Sequence, residues 1–304
     1  MTAAEPEQDQ DQIRTLFAAP GNGGPTVLRI LLGAQLRRLR EAKRISLLEA
    51  GEVIRASHSK VSRLETGRVG FKDRDIADLL TLYGVTDPEQ REALRDLARR
   101  ASGQGWWHDY SDVLPSWFEA YVGLEEAATQ IRSYDNQIVP SLLQTGDYAR
   151  AVVSLAHPAA TAEEVGRRVS LRLARQQLLE AAGPPHIWAV VDEAVLRRAP
   201  GPPAMMRAQL RHLLDVAERP GVTLQLLPFQ AGGHAATAGS FSILRFAEPD
   251  LPDVVYLEQL TSALYLDKRE SLDHYLAVLD RLCIQAWTAQ DTERELRAIL
   301  AAAG

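Results

Sequence analysis

A single cysteine, Cys283, stands in a chain of 304 residues. No internal disulfide can form, a zinc site built on several cysteines is excluded, and one thiol fits a reducing cytoplasm. Long apolar runs are missing too. The longest fall far short of the roughly 18 residues that span a bilayer, so no membrane segment is expected. The first 25 residues lack a basic start and an apolar stretch, so they do not read as a secretory signal. Catalytic signatures are also lacking: no G-x-S-x-G elbow, no H-E-x-x-H, no P-loop, and no G-x-G-x-x-G after a strand. The histidines (His58, His108, His157, His186, His212, His234, His274) are dispersed, with no pair one helical turn apart. The expectation is a protein without a catalytic site, metal or cofactor. Asp192-Glu193 is a carboxylate pair at a strand end, where acid–base chemistry could sit. Its more ordinary role is to cap a helix beginning near Ala194. Cys283 lies among Val278, Leu282 and Ile284 and reads as an inert, buried thiol.

What is present is the balance of a soluble globular chain, 46% hydrophobic and 24% charged, which excludes a mainly disordered or collagen-like protein. The length suits two domains. The net charge of −6 conceals an uneven distribution. Residues 1–25 carry −3, residues 26–102 carry 16 basic against 11 acidic side chains, and residues 103–304 carry −8. A compact basic segment inside an acidic protein is the electrostatic footprint of nucleic-acid binding, although a solvated helical face would look similar.

Residues 1–27 read as a flexible acidic tail with a short helix around Ile13–Ala18. From Leu28 to Ala101 apolar residues recur at helical spacing, as in Leu28, Leu32, Leu36 and Leu39, then Val61 and Leu64, then Ile76, Leu79, Leu80 and Tyr83. Turn signals at Arg44–Ser46, Arg55–Ser57, Gly67–Gly70 and Gly84–Pro88 divide this into five helices, giving a domain over 28–102. SGQGWW (102–107) breaks the pattern. Residues 103–304 begin with helix-like stretches at about 115–132, 145–156 and 161–181. Short β-branched or aromatic segments follow at 186–191, 222–229, 240–246, 253–260 and 263–267. Helices are expected at about 203–218 and 270–287, the latter closing the domain. The last three strand segments follow one another through short turns, so an α+β domain with a mainly antiparallel sheet is expected.

The most informative stretch is Ser46–Gly67. Ser46 can cap one helix, and Glu49 completes the S-x-x-E capping box. Ser57 can cap a second helix after only a short turn around Ile54–Ala56. Two short helices joined so tightly form a helix-turn-helix, whose second helix enters the major groove. On that helix Val61 and Leu64 would point inward. His58, Ser59, Ser62 and Arg63 would point outward with Lys60 at the edge. These polar groups can meet base edges, and an arginine can bond both acceptors of a guanine. Gly67 would end the helix.

The pattern S-x-x-E-x(7)-S-x-S-K-V-S-R-L-E-x-G resembles the lambda-repressor-like (Xre-type) helix-turn-helix proteins. That resemblance implies a five-helix, all-α domain binding double-stranded DNA, usually as a homodimer. It implies a DNA-contacting set of Ser46, Leu47, Ser57, His58, Ser59, Lys60, Ser62, Arg63, Thr66 and Arg68. Within it Arg63, Ser59 and His58 match base-reading positions, and Lys60, Thr66 and Arg68 match phosphate contacts. Arg40 and Glu65 match a structural ion pair that braces the fold. Two departures stand out. Arg55 holds a turn position often filled by Gly, and Leu47 holds one commonly filled by a polar contact residue.

The rest of the chain is similar to a group of WhiJ-type actinobacterial regulators, which join such a domain to a C-terminal domain of unknown function, DUF5753. The resemblance rests on Gly105–Tyr110, Trp117–Glu125, Val139–Arg150, Asp192–Arg198, Val222–Phe229, Gly239–Ser242 and Tyr256–Glu258. It implies a cytoplasmic transcriptional regulator, antitoxin-like, whose partner is a small acidic protein of the DUF397 type. It implies no established ligand. Among these phrases Trp106, Trp107, Trp117 and Tyr121 read as core or as anchors of a partner or ligand groove. His234 lies in a Gly-rich loop of the kind that carries binding or is simply mobile.

Overall fold

The computed structural model describes residues 24–248 and 251–302. The short helix expected at 13–18 lies outside the described residues. The chain divides into two compact units, one ending at His108 and one beginning at Asp109.

In the first unit, among the described residues, helices run α1 (Pro25–Ala42), α2 (Leu47–Val53), α3 (His58–Glu65), α4 (Asp73–Leu82) and α5 (Pro88–Ala101). α1 begins at Pro25, ahead of the apolar spacing that starts at Leu28. A proline fits the first helical turn, where its missing N–H has no partner to lose. α5 also opens on a proline, with Asp87 accepting from the Glu89 N–H. Leu32, Leu36, Val61, Leu64, Ile76, Leu80, Tyr83 and Leu94 form one buried core. Each fully buried aliphatic side chain contributes about 1.5–3 kcal/mol, so the helical spacing read from the sequence is what closes this unit.

The second unit holds α6 (Ser116–Ala127), β1 (Gln130–Asp135), α7 (Gly146–Ala156), α8 (Ala162–Gln176), β2 (His186–Asp192), α9 (Glu193–Arg197), α10 (Pro203–Ala217) and β3 (Val222–Leu227). β4 (Phe241–Arg245), β5 (Val254–Glu258), β6 (Ala263–Leu266), α11 (Arg269–Gln285) and α12 (Ala289–Ala302) complete it. The strands form one sheet in the order β3-β2-β1-β4-β5-β6. β4, β5 and β6 make the expected antiparallel hairpins, and β4 is antiparallel to β1. β1, β2 and β3 are parallel, so the sheet is mixed rather than mainly antiparallel.

The correction traces to β1, which the sequence reading placed inside a helical stretch over 115–132. No Gly or Pro marks the break after Ala127, and only two residues separate the helix from the strand. With β1 at the centre, the helical connections to β2 and then β3 are long enough for parallel crossovers. α12 is a second difference, because the helix at 269–285 does not close the domain. Thr288 caps α12 by accepting from the Asp291 N–H at 3.1 Å. The connection covers the outer edge of β3, where the Trp287 N–H donates to Leu226 O and the Leu226 N–H donates to Thr292 Oγ1, both at 2.9 Å. That leaves fewer unpaired strand groups on that edge. One sheet face, with Tyr134, Val190, Phe241 and Leu257, packs on Leu279 and Leu282 of α11. The other face meets α6, where Tyr121 lies 4.1 Å from Tyr256 between ring centroids.

Candidate nucleic-acid interface

Caps set the two helices of the basic unit. The Ser46 hydroxyl accepts from the Glu49 N–H at 3.2 Å, and the Glu49 carboxylate accepts from the Ser46 N–H at 2.8 Å, completing the box. The Ser57 hydroxyl accepts from the Lys60 N–H at 3.3 Å and starts α3. Between them Arg55 takes a φ of 54°, left-handed backbone that costs a side-chain-bearing residue about 1–2 kcal/mol. The Ala56 N–H donates to Gly51 O at 2.8 Å and tightens the same turn.

Packing then fixes which side of α3 faces out. Val61 and Leu64 are buried, while His58, Ser59, Arg63, Thr66 and Arg68 are exposed and Ser62 is partly so. α1 crosses the C-terminal end of α3 at very close range. A Cβ on Gly33 would lie 2.5 Å from Leu64 O and 2.7 Å from Glu65 O. Gly67 has a φ of 66°, and a Cβ there would meet the Ile30 backbone at 2.7 Å. Both glycines are required by approach, and Gly67 by conformation as well. The same crossing brings Arg40 to Glu65: Arg40 Nε donates to Oε1 at 2.6 Å and Nη2 to Oε2 at 2.9 Å, with both side chains buried.

The remaining candidates differ in how available they are. Arg63 has only a long contact, Nε to Ser59 O at 3.4 Å, so its guanidinium stays at the surface. The Ser59 hydroxyl lies 3.3 Å from His58 Nε2. The Thr66 hydroxyl donates to Ser62 O at 2.9 Å, which holds it against its own helix. Lys60 Nζ lies 3.1 Å from the Asp75 carboxylate on α4. The Ser46 and Ser57 hydroxyls are engaged as caps, and Leu47 packs against the core. The exposed face of α3 is therefore made of His58, Ser59, Ser62 and Arg63, with Thr66 and Arg68 at its end.

A sequence model described as a domain of unknown function (DUF5753) matches residues 118–298, more than half of the chain. The chain belongs to the DUF5753 family. A model described as a helix-turn-helix domain matches residues 31–94, so this DUF5753 protein carries a helix-turn-helix ahead of its family domain. No curated protein and no solved structure matches the chain. Among the described residues no helix is long and apolar enough to cross a membrane.

The aromatic candidates of this DUF5753 protein fall in both units. Trp106 and Trp107 belong to the first unit. Trp107 is buried, and Trp106 is 36% exposed. Trp117 and Tyr121 lie on α6, where Tyr121 is buried and stacked on Phe118 at 5.2 Å. His234 is on the opposite face of the sheet. Its Nδ1 accepts from the Ala236 N–H at 3.3 Å, which leaves the proton on Nε2, 3.1 Å from the Tyr134 hydroxyl. Tyr134 in turn donates to Asp192 at 3.3 Å. Asp192 caps α9 through the Ala194 N–H at 2.8 Å, and Glu193 accepts from the Phe229 N–H at 2.9 Å. Those bonds give both carboxylates of that pair a structural occupation. What the sequence reading missed is on the α6 side of the sheet. There Arg175 of α8 makes two 2.7 Å bonds to the buried Glu125, and Arg172, one helical turn earlier, and Asp135 of β1 are half-buried. A buried arginine facing a glutamate 50 positions away leaves no local signature.

Proposed function

We propose that this protein is a sequence-specific DNA-binding transcriptional regulator that acts as a homodimer. Its DUF5753 domain binds a small acidic protein of the DUF397 type, or an effector, that changes operator affinity. The observation that carries the reading is the exposed polar face of α3, with Arg63 at its centre, in a segment of net charge +5. Arginine there suits both acceptors of a guanine, while His58 and Ser59 suit neighbouring base edges. Two copies would present their helices to half-sites about 34–36 Å apart. The basic surround supplies affinity for the phosphates, and that contribution falls as salt displaces it. Thr66, Arg68 and Lys60 are the phosphate contacts, with Lys60 exchanging its Asp75 partner for the DNA. Modulation follows from linkage: a partner that favours one arrangement of the two DNA-binding units shifts affinity by its differential binding.

The test is a salt-dependent gel shift of the intact protein on the DNA upstream of its own gene, with and without the small acidic protein. Specific binding that the partner alters supports the whole reading. Binding that is indifferent to DNA sequence at every salt concentration overturns it.

A further inference from the structure

The two edges of the sheet are finished differently. At β3 the chain covers its own edge through Trp287 and Thr292. At the other end β6 is the last strand, and among the described residues no backbone group pairs with its outer side. Open edges of natural sheets are guarded by a charge, a proline or a bulge. Residues 259–266 carry none of these. Gln-Leu-Thr-Ser-Ala-Leu-Tyr-Leu is uncharged and lacks proline, and β6 pairs with β5 in unbroken register from Val255 with Leu266 to Glu258 with Ala263. Leu264 is 57% exposed, and Leu260 in the turn before the strand is fully exposed.

The pairing with β5 also decides which backbone groups face outward. The Gln259 N–H donates to Ser262 O at 2.9 Å, so these two residues are a hydrogen-bonded pair. Antiparallel ladders alternate hydrogen-bonded pairs with non-hydrogen-bonded ones. Leu264 and Leu266 therefore turn their backbone groups toward β5, and Ala263 and Tyr265 turn theirs away. The free edge offers the N–H and C=O groups of residues 263 and 265, one on either side of Leu264. The Tyr265 hydroxyl donates to Trp117 O at 2.7 Å, which holds its ring over the α6 face and clear of that edge.

An antiparallel strand of the same sequence, centred on Leu264, meets those groups. Ala263 pairs with Tyr265 of the second copy, Tyr265 pairs with Ala263 of the second copy, and Leu264 stands opposite itself. That central position is non-hydrogen-bonded, where Cα atoms lie about 4.5 Å apart and side chains come closest. The exposed leucine is then covered by its own counterpart. An acidic protein has less to hold here, because residues 259–266 carry no cation and Lys268 and Arg269 follow only after the strand.

We propose that β6 is the homodimer contact, two copies joining antiparallel about a twofold axis at Leu264 so that one sheet runs through both chains. The inference rests on the homodimer half of the function above and gives it a surface.

The experiment is sedimentation velocity of the full-length protein, without DNA, over a concentration series for the parent, Leu264→Lys and Ala263→Pro. Leu264→Lys sets like charges opposite each other at the axis. Ala263→Pro deletes an outward N–H and no bond to β5. Each should raise the dimer dissociation constant at least about tenfold, which corresponds to about 1.4 kcal/mol, with the circular dichroism of the parent retained. Leu264→Cys should form an interchain disulfide under mild oxidation, since a Cα separation of about 4.5 Å lies within disulfide range. Ser262→Cys, which would oppose Leu266 of the second copy, should not. If Ala263→Pro does not fold, the variants at the exposed Leu264 decide. A dimeric parent whose folded variants dimerise as tightly, or equal crosslinking at 262 and 264, overturns this contact and leaves the homodimer reading standing. A parent that is monomeric at every concentration overturns both. A monomeric parent that binds the small acidic protein and loses it in Leu264→Lys overturns the proposal by giving the edge to that protein instead.

Discussion

Arg40 and Glu65 form a two-bond pair that ties the last turn of the first unit's long helix to the last turn of the helix carrying Arg63. Both groups are buried, and Arg40 Nη1 also donates to Ile45 O at 2.8 Å, holding the chain entering α2. The pair joins α1 to α3 with both side chains buried, as a bracing role requires. Removing one partner strands a buried charge, so Arg40→Ala should cost about 3–5 kcal/mol of stability. Adding Glu65→Ala to it should recover part of that loss, because no carboxylate is then left unpaired. Thermal unfolding of the two single variants and the double variant reads this directly. An unchanged melting temperature in Arg40→Ala would remove the bracing role.

Arg63 and Lys60 should separate in solution as they do in geometry. Arg63 stands at the surface with no strong partner, and its loss should cost roughly 1–3 kcal/mol at the operator and relax base preference. Lys60→Ala should weaken binding to every sequence and flatten the salt dependence. Its effect should be the smaller because Lys60 already spends its charge on Asp75. Binding isotherms on operator and scrambled DNA at several salt concentrations distinguish the two. Equal loss on both DNAs in Arg63→Ala would count against base reading.

The parts of this fold legible in the sequence are those made by neighbours in the chain. Ser46 and Glu49 are three apart, Ser57 and Lys60 are three apart, and such pairs fix helix starts wherever they occur. The buried stripe of Val61 and Leu64 follows from the same short-range geometry. β1 was hidden because its identity depends on β2 and β4, which flank it from 56 and more positions away. Gln130-Ile-Arg-Ser-Tyr-Asp alternates, but it follows α6 without a breaker, so the helical pattern runs on in the sequence. The cluster on that strand's inner face was hidden for the same reason. Asp135 and Glu258 come onto one face only once the sheet is assembled.

Among the described residues two arginines sit in left-handed backbone, Arg44 at φ 56° and Arg55 at φ 54°. Replacing either with glycine removes a strain of about 1–2 kcal/mol, offset in part by the greater freedom glycine gives the unfolded chain. Arg55→Gly should therefore stabilise the first unit by about 0.5–1 kcal/mol, raising its melting temperature. It also deletes a positive charge beside α3, so non-specific DNA binding should weaken at low salt while the fold gains stability. A fall in the melting temperature would mean that the Arg55 side chain makes a stabilising contact worth more than the strain.

The Asp135 carboxyl gives the second unit a stability that depends on pH. Its pKa is raised from the ordinary carboxylate range to about 7, chiefly by burial, with Glu258 adding like-charge repulsion and the Ser133 hydroxyl opposing both. The folded state thus holds a proton that the unfolded state releases at lower pH. The favourable contribution is fully present below the unfolded value near 4, is lost as pH rises through about 7, and leaves an ionised, unpaired carboxylate above that. Asp135→Asn keeps the shape and the bond from Ser133 while removing the charge. It should raise the melting temperature by several degrees at pH 8 and change it little at pH 4, where the native carboxyl is already neutral in the folded state. Melting curves of parent and variant between pH 4 and 8 should therefore converge at the acid end. Parallel curves across that range would show that Asp135 is ionised throughout, and that its neighbours solvate it better than its setting implies.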